Sequence, residues 1–103
     1  MIRHLVALRY RDSTSQETKD QLMKDLAGLS GHIDGIVDFQ VRDNVSVEDH
    51  LVRDFRHLFW FDFTDSAVRD AYLVDAAHQA IGARIVAETE GGPDGVYVFD
   101  FEV

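Results

Sequence analysis

Proton chemistry in this chain falls to its histidines, tyrosines and carboxylates, because it contains no cysteine. Disulfides, thiol catalysis and thiolate metal sites are thereby excluded. His78 recurs with Ile81, Gly82 and Ile85 at i, i+3, i+4 and i+7, one face of a helix that should point at a sheet. A titratable imidazole among apolar neighbours suits a general base, with its pKa near working pH. The competing reading is a buried histidine donating one hydrogen bond to backbone. Tyr72 falls on the inner face of the preceding helix with Val68. There its hydroxyl can polarise a ligand carbonyl or sit satisfied in the core.

His4 and Asp100 belong together. If the first and last strands are antiparallel neighbours, the start of one lies beside the end of the other, and these two residues face each other across the ladder. An aspartate that orients a histidine fixes its tautomer, as catalytic pairs do; the same pair also satisfies two polar groups in a core. His57 shares a strand face with Phe59 and Phe61 and should lie nearer Leu8 than His4, which makes it a pocket-lining residue. His32 and His50 fall at a helix end and in a loop and read as surface. No glycine-rich phosphate loop, His-x-x-x-His pair or calcium-loop pattern occurs, so no metal site or cofactor is expected.

The elements that must position these groups follow from periodicity. Ile2 to Tyr10 alternates as a strand. Thr14 and Glu17 form a capping-box pattern, and Leu22, Leu26, Leu29 and Ile33 continue at helical spacing. Gly31 and Gly35 end that helix. Ile36 to Val45 alternates again, Ser46 to Asp54 is a polar loop, and Phe55 to Phe63 is the strongest strand. Thr64 or Asp65 caps a short helix, a second helix spans about Asp75 to Glu88, Gly91-Gly92-Pro93 breaks the chain, and Gly95 to Val103 is the last strand. The order β-α-β-β-α-(α)-β predicts an α+β, ferredoxin-like domain, residues 1–103. Its helices lie on one face of a four-stranded antiparallel sheet of order 4-1-3-2.

That arrangement leaves one sheet face uncovered. Phe55, His57, Phe59, Phe61 and Phe63 share the helix-facing side, and Leu5, Leu58, Trp60, Phe99 and Phe101 fall on the other. An apolar face of that size predicts a homodimer packed sheet to sheet about a two-fold axis. A net charge of −9 opposes binding to nucleic acid or anionic lipid. The apolar runs are too short to span a membrane, and the N-terminus opens directly into a strand, which predicts a cytoplasmic protein.

Several stretches together resemble one family. They are Ile2-Arg3-His4-Leu5-Val6, Ile33-Asp34-Gly35-Ile36, the aromatic third strand, Tyr72-Leu73 followed by Ala77-His78-Gln79, and Val98-Phe99-Asp100-Phe101. The chain resembles the stress-responsive A/B barrel (Dabb) family of the dimeric α+β barrel superfamily over nearly its whole length. Asp75-Ala76 stand where that family usually has His-Pro. The resemblance implies a dimeric barrel. It also points to a plant branch whose members cyclise polyketides without a cofactor, using a Tyr and a His that match Tyr72 and His78, with supporting polar groups matching His4, His57 and Asp100.

Three functions fit. The first is a dimer binding a small apolar or aromatic molecule between helices and sheet, lined by Val6, Leu8, Met23, Phe39, His57, Phe59, Phe61, Tyr72, Ile81 and Ile85. The second is a cofactor-independent acid–base enzyme of cyclase or lyase type, in which His78 abstracts a proton, Tyr72 stabilises an enolate and His4 and Asp100 hold the constellation. The third is a stress-induced protein acting by assembly alone.

Overall fold

Two strands with an apolar residue at every second position pair at the centre of the sheet. They are β1 (Ile2–Leu8) and β3 (His57–Phe63), antiparallel with His4 opposite Phe61 and Val6 opposite Phe59. The computed structural model describes all residues from Met1 to Val103. β4 (Val96–Glu102) adds to the free side of β1, and β2 (Ile36–Asp43) to the free side of β3, which gives the order β2-β3-β1-β4. Helices α1 (Gln16–Ala27), α3 (Ser66–Val74) and α4 (Ala76–Glu88) lie on one side. A single turn of helix, α2 (Asp49–Val52), occupies the polar β2–β3 connection that sequence patterning treats as loop. The fold is the ferredoxin-like α+β arrangement with a four-stranded antiparallel sheet.

The core follows from the alternation. Val6, Leu8, Phe59, Phe61 and Phe63 turn toward the helices and bury against Leu22 and Leu26 of α1, Tyr72 of α3, and Ile81 and Ile85 of α4. Phe61 and Phe63 are fully buried, and Phe61 packs against the rings of Phe39 and Tyr72 at 4.6 and 5.0 Å. Gly35, at φ 95°, stands where an added Cβ would lie 2.5 Å from a Val68 methyl. That close approach lets α3 dock over the start of β2.

Two local expectations are corrected. The helix after β1 is capped by Ser15, whose hydroxyl accepts from the Thr18 N–H at 3.1 Å, not by Thr14. Thr14 is buried and donates to the Glu88 carbonyl at 3.0 Å, tying the turn to α4. Phe55 departs from the helix-facing run of β3. It packs edge-on against Tyr97, at 5.9 Å, on the open side of the sheet. The chain enters β3 through Arg53 and Asp54 at φ 56° and 61°. Two consecutive left-handed residues reverse the path, each costing on the order of 1 kcal/mol, so strand alternation begins only at His57. The open face carries the cross-strand pairs Leu5–Trp60, Leu5–Phe99, Ala7–Leu58 and Arg3–Phe101.

Candidate functional site

The antiparallel register of β1 and β4 sets His4 directly opposite Asp100. The His4 side chain is almost fully buried, and its Nδ1 lies 2.7 Å from Asp100 Oδ1. A carboxylate only accepts, so Nδ1 carries a proton, and in the neutral ring Nε2 is left with a free lone pair. The second oxygen of Asp100 accepts from Arg69 Nη1 of α3 at 3.0 Å, and Arg69 Nε donates to Asp70 at 2.8 Å.

His78 and Tyr72 arrive from two helices that meet at Asp75. Its carboxylate caps α4, Oδ1 accepting from the His78 N–H at 2.9 Å, while Oδ2 lies 2.8 Å from His32 Nε2. The His78 ring stacks on Tyr72 with centroids 3.8 Å apart, and the His4 ring meets Tyr72 edge-on at 5.4 Å. His78 Nδ1 is buried without a hydrogen-bond partner. Burial, and then the neighbouring His4, hold the His78 pKa below the ordinary histidine value against the opposing pull of the Tyr72 carbonyl and Asp75. Burial and then Asp100 push the Tyr72 hydroxyl well above the usual tyrosine range, so it stays a donor.

These three rings line one cavity of about 240 Å³ between α3, α4 and the β1–β4 half of the sheet. Its wall is mostly apolar: Val6, Leu26, Phe59, Leu73, Ile85, Val86, Val96 and Val98, with Gly82 of α4 bare between them. Val98 is half exposed on the edge strand, which puts the opening beside β4.

Among the lining residues expected from sequence, Val6, Phe59, Tyr72 and Ile85 are on this wall together with His4 and His78. Leu8, Met23 and His57 are not. They line a separate surface depression with Tyr10 and Lys19 at the other end of β1, where the register places His57 opposite Leu8. There His57 meets Tyr10 edge-on at 5.0 Å and its pKa is lowered, by burial first and then by Lys19. Phe39 and Phe61 fill the β2–β3 half of the space between helices and sheet, and Ile81 is buried outside the wall. The reason is positional. Alternation assigns a side chain to a face but not to an end or a half of the sheet, and the cavity at His4 and the depression at His57 are separate. His50 is exposed; His32 is exposed but bound to Asp75. Patterning missed Arg69, Leu26, Val86, Val96 and Val98. Val86 extends the spacing His78, Gly82 at one more i+4 step, a signal that could have found it.

A family model for the stress responsive A/B barrel domain, Dabb, matches residues 2–103. The chain belongs to this family. Among solved structures, the Dabb chain is similar to a dimeric ferredoxin-like protein of unknown function from Jannaschia sp. CCS1. The two share 32% identity and a TM-score of 0.88, over 99% of this chain and 98% of that one. It is also similar to the hydroxynitrile lyase of Passiflora edulis, at 16% identity and a TM-score of 0.83, over 99% and 92% of the two chains. A Dabb protein from Mesorhizobium loti MAFF303099 shares 21% identity and a TM-score of 0.76, over 99% and 95%. At those identities the last two show the shared fold. No curated protein matches the sequence. No helix of the chain is long and apolar enough to cross a membrane.

Proposed function

We propose that this Dabb chain works as a homodimer and binds a small, mostly apolar or aromatic molecule in the cavity beside β4. The observation that carries the reading is the cavity itself: about 240 Å³, walled by aliphatic side chains, with His4, Tyr72 and His78 supplying its few polar groups. A dry wall with sparse convergent polar atoms is how small-molecule sites are built. The dimer reading is supported by the sheet face opposite the helices, where Phe99 and Phe101 are exposed and Leu5, Leu58 and Trp60 half-buried, and by the dimeric state of the Jannaschia protein. Titrating small aromatic ketones, acetophenone first, into methyl-labelled protein tests the site. Saturable shifts at Val6, Ile85, Val86 and Val98 with a rising Tm are expected. Shifts confined to the open sheet face, or none at these methyls, would overturn it.

A second reading, cofactor-independent acid–base catalysis, is favoured by the His4–Asp100 distance of 2.7 Å. Here the base is His4 rather than His78, because only His4 has a carboxylate behind it. His4 Nε2 takes a proton from carbon, and the Tyr72 O–H donates to the oxygen that gathers the charge. Neutral His78 packs on Tyr72 and fixes its ring. Turnover that survives both His4→Ala and Tyr72→Phe would end this reading.

A further inference from the structure

Asp100 stands on an edge strand at the rim of the cavity, with about a quarter of its side chain in solvent. A carboxylate so placed has two oxygens of equal competence and a soft torsion between them. Nothing in β4 itself keeps the carboxylate turned toward His4. That hold comes from the helix opposite. Arg69 Nη1 donates to Asp100 Oδ2 at 3.0 Å, while its Nε is held by Asp70 at 2.8 Å. The guanidinium is thus pinned on both sides, and only about a quarter of the side chain is exposed. Its planar fork offers donors and no acceptor.

Resting on the reading of His4 and Asp100 as a working pair, we propose that Arg69 is a positioning residue: by binding Oδ2 it holds the Asp100 carboxylate turned onto His4 Nδ1, where the carboxylate keeps the tautomer that leaves His4 Nε2 unprotonated. The physical reason is twofold. Arg69 removes the rotational freedom that lets water compete for Asp100. It also stands between Asp100 and Asp70, whose carboxylate would otherwise push Asp100 out from the site.

A simple tie between α3 and β4 would stabilise the fold without setting a tautomer, and an asparagine at position 100 separates the two roles. With Arg69 present, its N–H groups can donate only to the amide oxygen of that asparagine. The amide NH2 then faces His4 Nδ1, which must accept, and the proton moves to Nε2. Without Arg69 the amide can rotate and present its oxygen to His4 again.

Long-range proton–nitrogen correlation spectra of the full chain, recorded where the His4 ring is neutral, read this directly. The His4 signals are assigned by their loss in His4→Gln. The wild type is expected to show His4 as the Nδ1–H form. Asp100→Asn is expected to show the Nε2–H form. The double variant Asp100→Asn with Arg69→Met is expected to regain part of the Nδ1–H form. Arg69→Met alone is expected to show a mixture, and Arg69→Lys to restore part of the wild-type population. Should Asp100→Asn keep the Nδ1–H form, or the double variant match Asp100→Asn, Arg69 does not orient the pair and the inference fails while the pair stands. Should wild-type His4 itself be the Nε2–H form, the pair fails first.

Discussion

Tyr72 and His78 belong to different helices yet stack face to face, ring centroids 3.8 Å apart and planes inclined by 29°. The contact exists because Asp75 ends α3 and caps α4 in a single residue, folding the second helix back so that its first turn covers the last turn of the first. His78 is thereby held over the cavity with Nδ1 buried and unpaired. A protonated ring in that position would be a charge in an apolar wall.

Acid should therefore destabilise the fold well before the carboxylates titrate. His78 and His57 both have pKa values below the unfolded value, so the unfolded chain binds more protons than the folded one as pH falls past about 6.5. Stability is complete above that pH and declines below it, until the folded-state pKa values are reached. Thermal unfolding followed between pH 8 and pH 5 should show Tm falling on the acid side, with a shallower fall in His78→Gln. A Tm that rises toward pH 5 would contradict the burial of these rings.

Asp75→Ala should lower Tm by roughly 5 °C, the usual effect of losing a helix N-cap in a domain of this size. It should also broaden the His78 ring signals, since the same carboxylate accepts from the His78 N–H and binds His32. Asp75→Asn, which retains a side-chain acceptor, should recover most of the Tm. Equal losses in both variants would mean the cap is not the relevant interaction.

Gly82 sits in mid-helix without a positive φ, and a Cβ placed there meets no atom within 4 Å. Backbone geometry does not require glycine at this site, and glycine costs about 1 kcal/mol relative to alanine in a helix interior. Gly82→Ala should raise stability by up to that amount, measurable by denaturant unfolding. Gly82→Leu should stay folded and fill the space between His78 and Val86, abolishing the methyl shifts produced by acetophenone. Undiminished binding in Gly82→Leu would place the ligand elsewhere.

Much of this architecture is legible in the residues, and the limits have physical causes. Period-two patterning locates β1 and β3, and the split βαβ order makes β1 and β4 antiparallel neighbours, so the meeting of His4 with Asp100 follows from topology. Nothing periodic marks Arg69. It is one more charged residue on a short helix until α3 docks on β1 and β3 and its side chain reaches Asp100 of β4. The placing of Leu8, Met23 and His57 at a different end from His4 escapes for a similar reason. A face is a local property of a strand, whereas the place of the cavity depends on where Phe39 and Phe61 spend their volume. Phe55 leaves the pattern because two adjacent left-handed residues, neither of them glycine, precede it.

The uncovered sheet face gives the last prediction. Phe99 and Phe101 are 47% and 44% exposed, and Tyr97 stacks beside Phe99 at 4.8 Å, so the outer surface of β4 is a continuous aromatic strip. Trp60 lies across from it with the guanidinium groups of Arg3 and Arg42 at 5.1 and 5.4 Å and its indole N–H buried without a partner. An exposed aromatic strip of this length is poorly suited to water and well suited to a second copy of the same face. Phe99→Asp places a charge in the middle of that contact while leaving the helix-facing core untouched. Sedimentation velocity at micromolar concentration should find the wild type as a dimer and Phe99→Asp as a folded monomer with unchanged far-ultraviolet circular dichroism. A wild-type monomer, or a variant that remains dimeric, would remove the sheet face as the dimer interface.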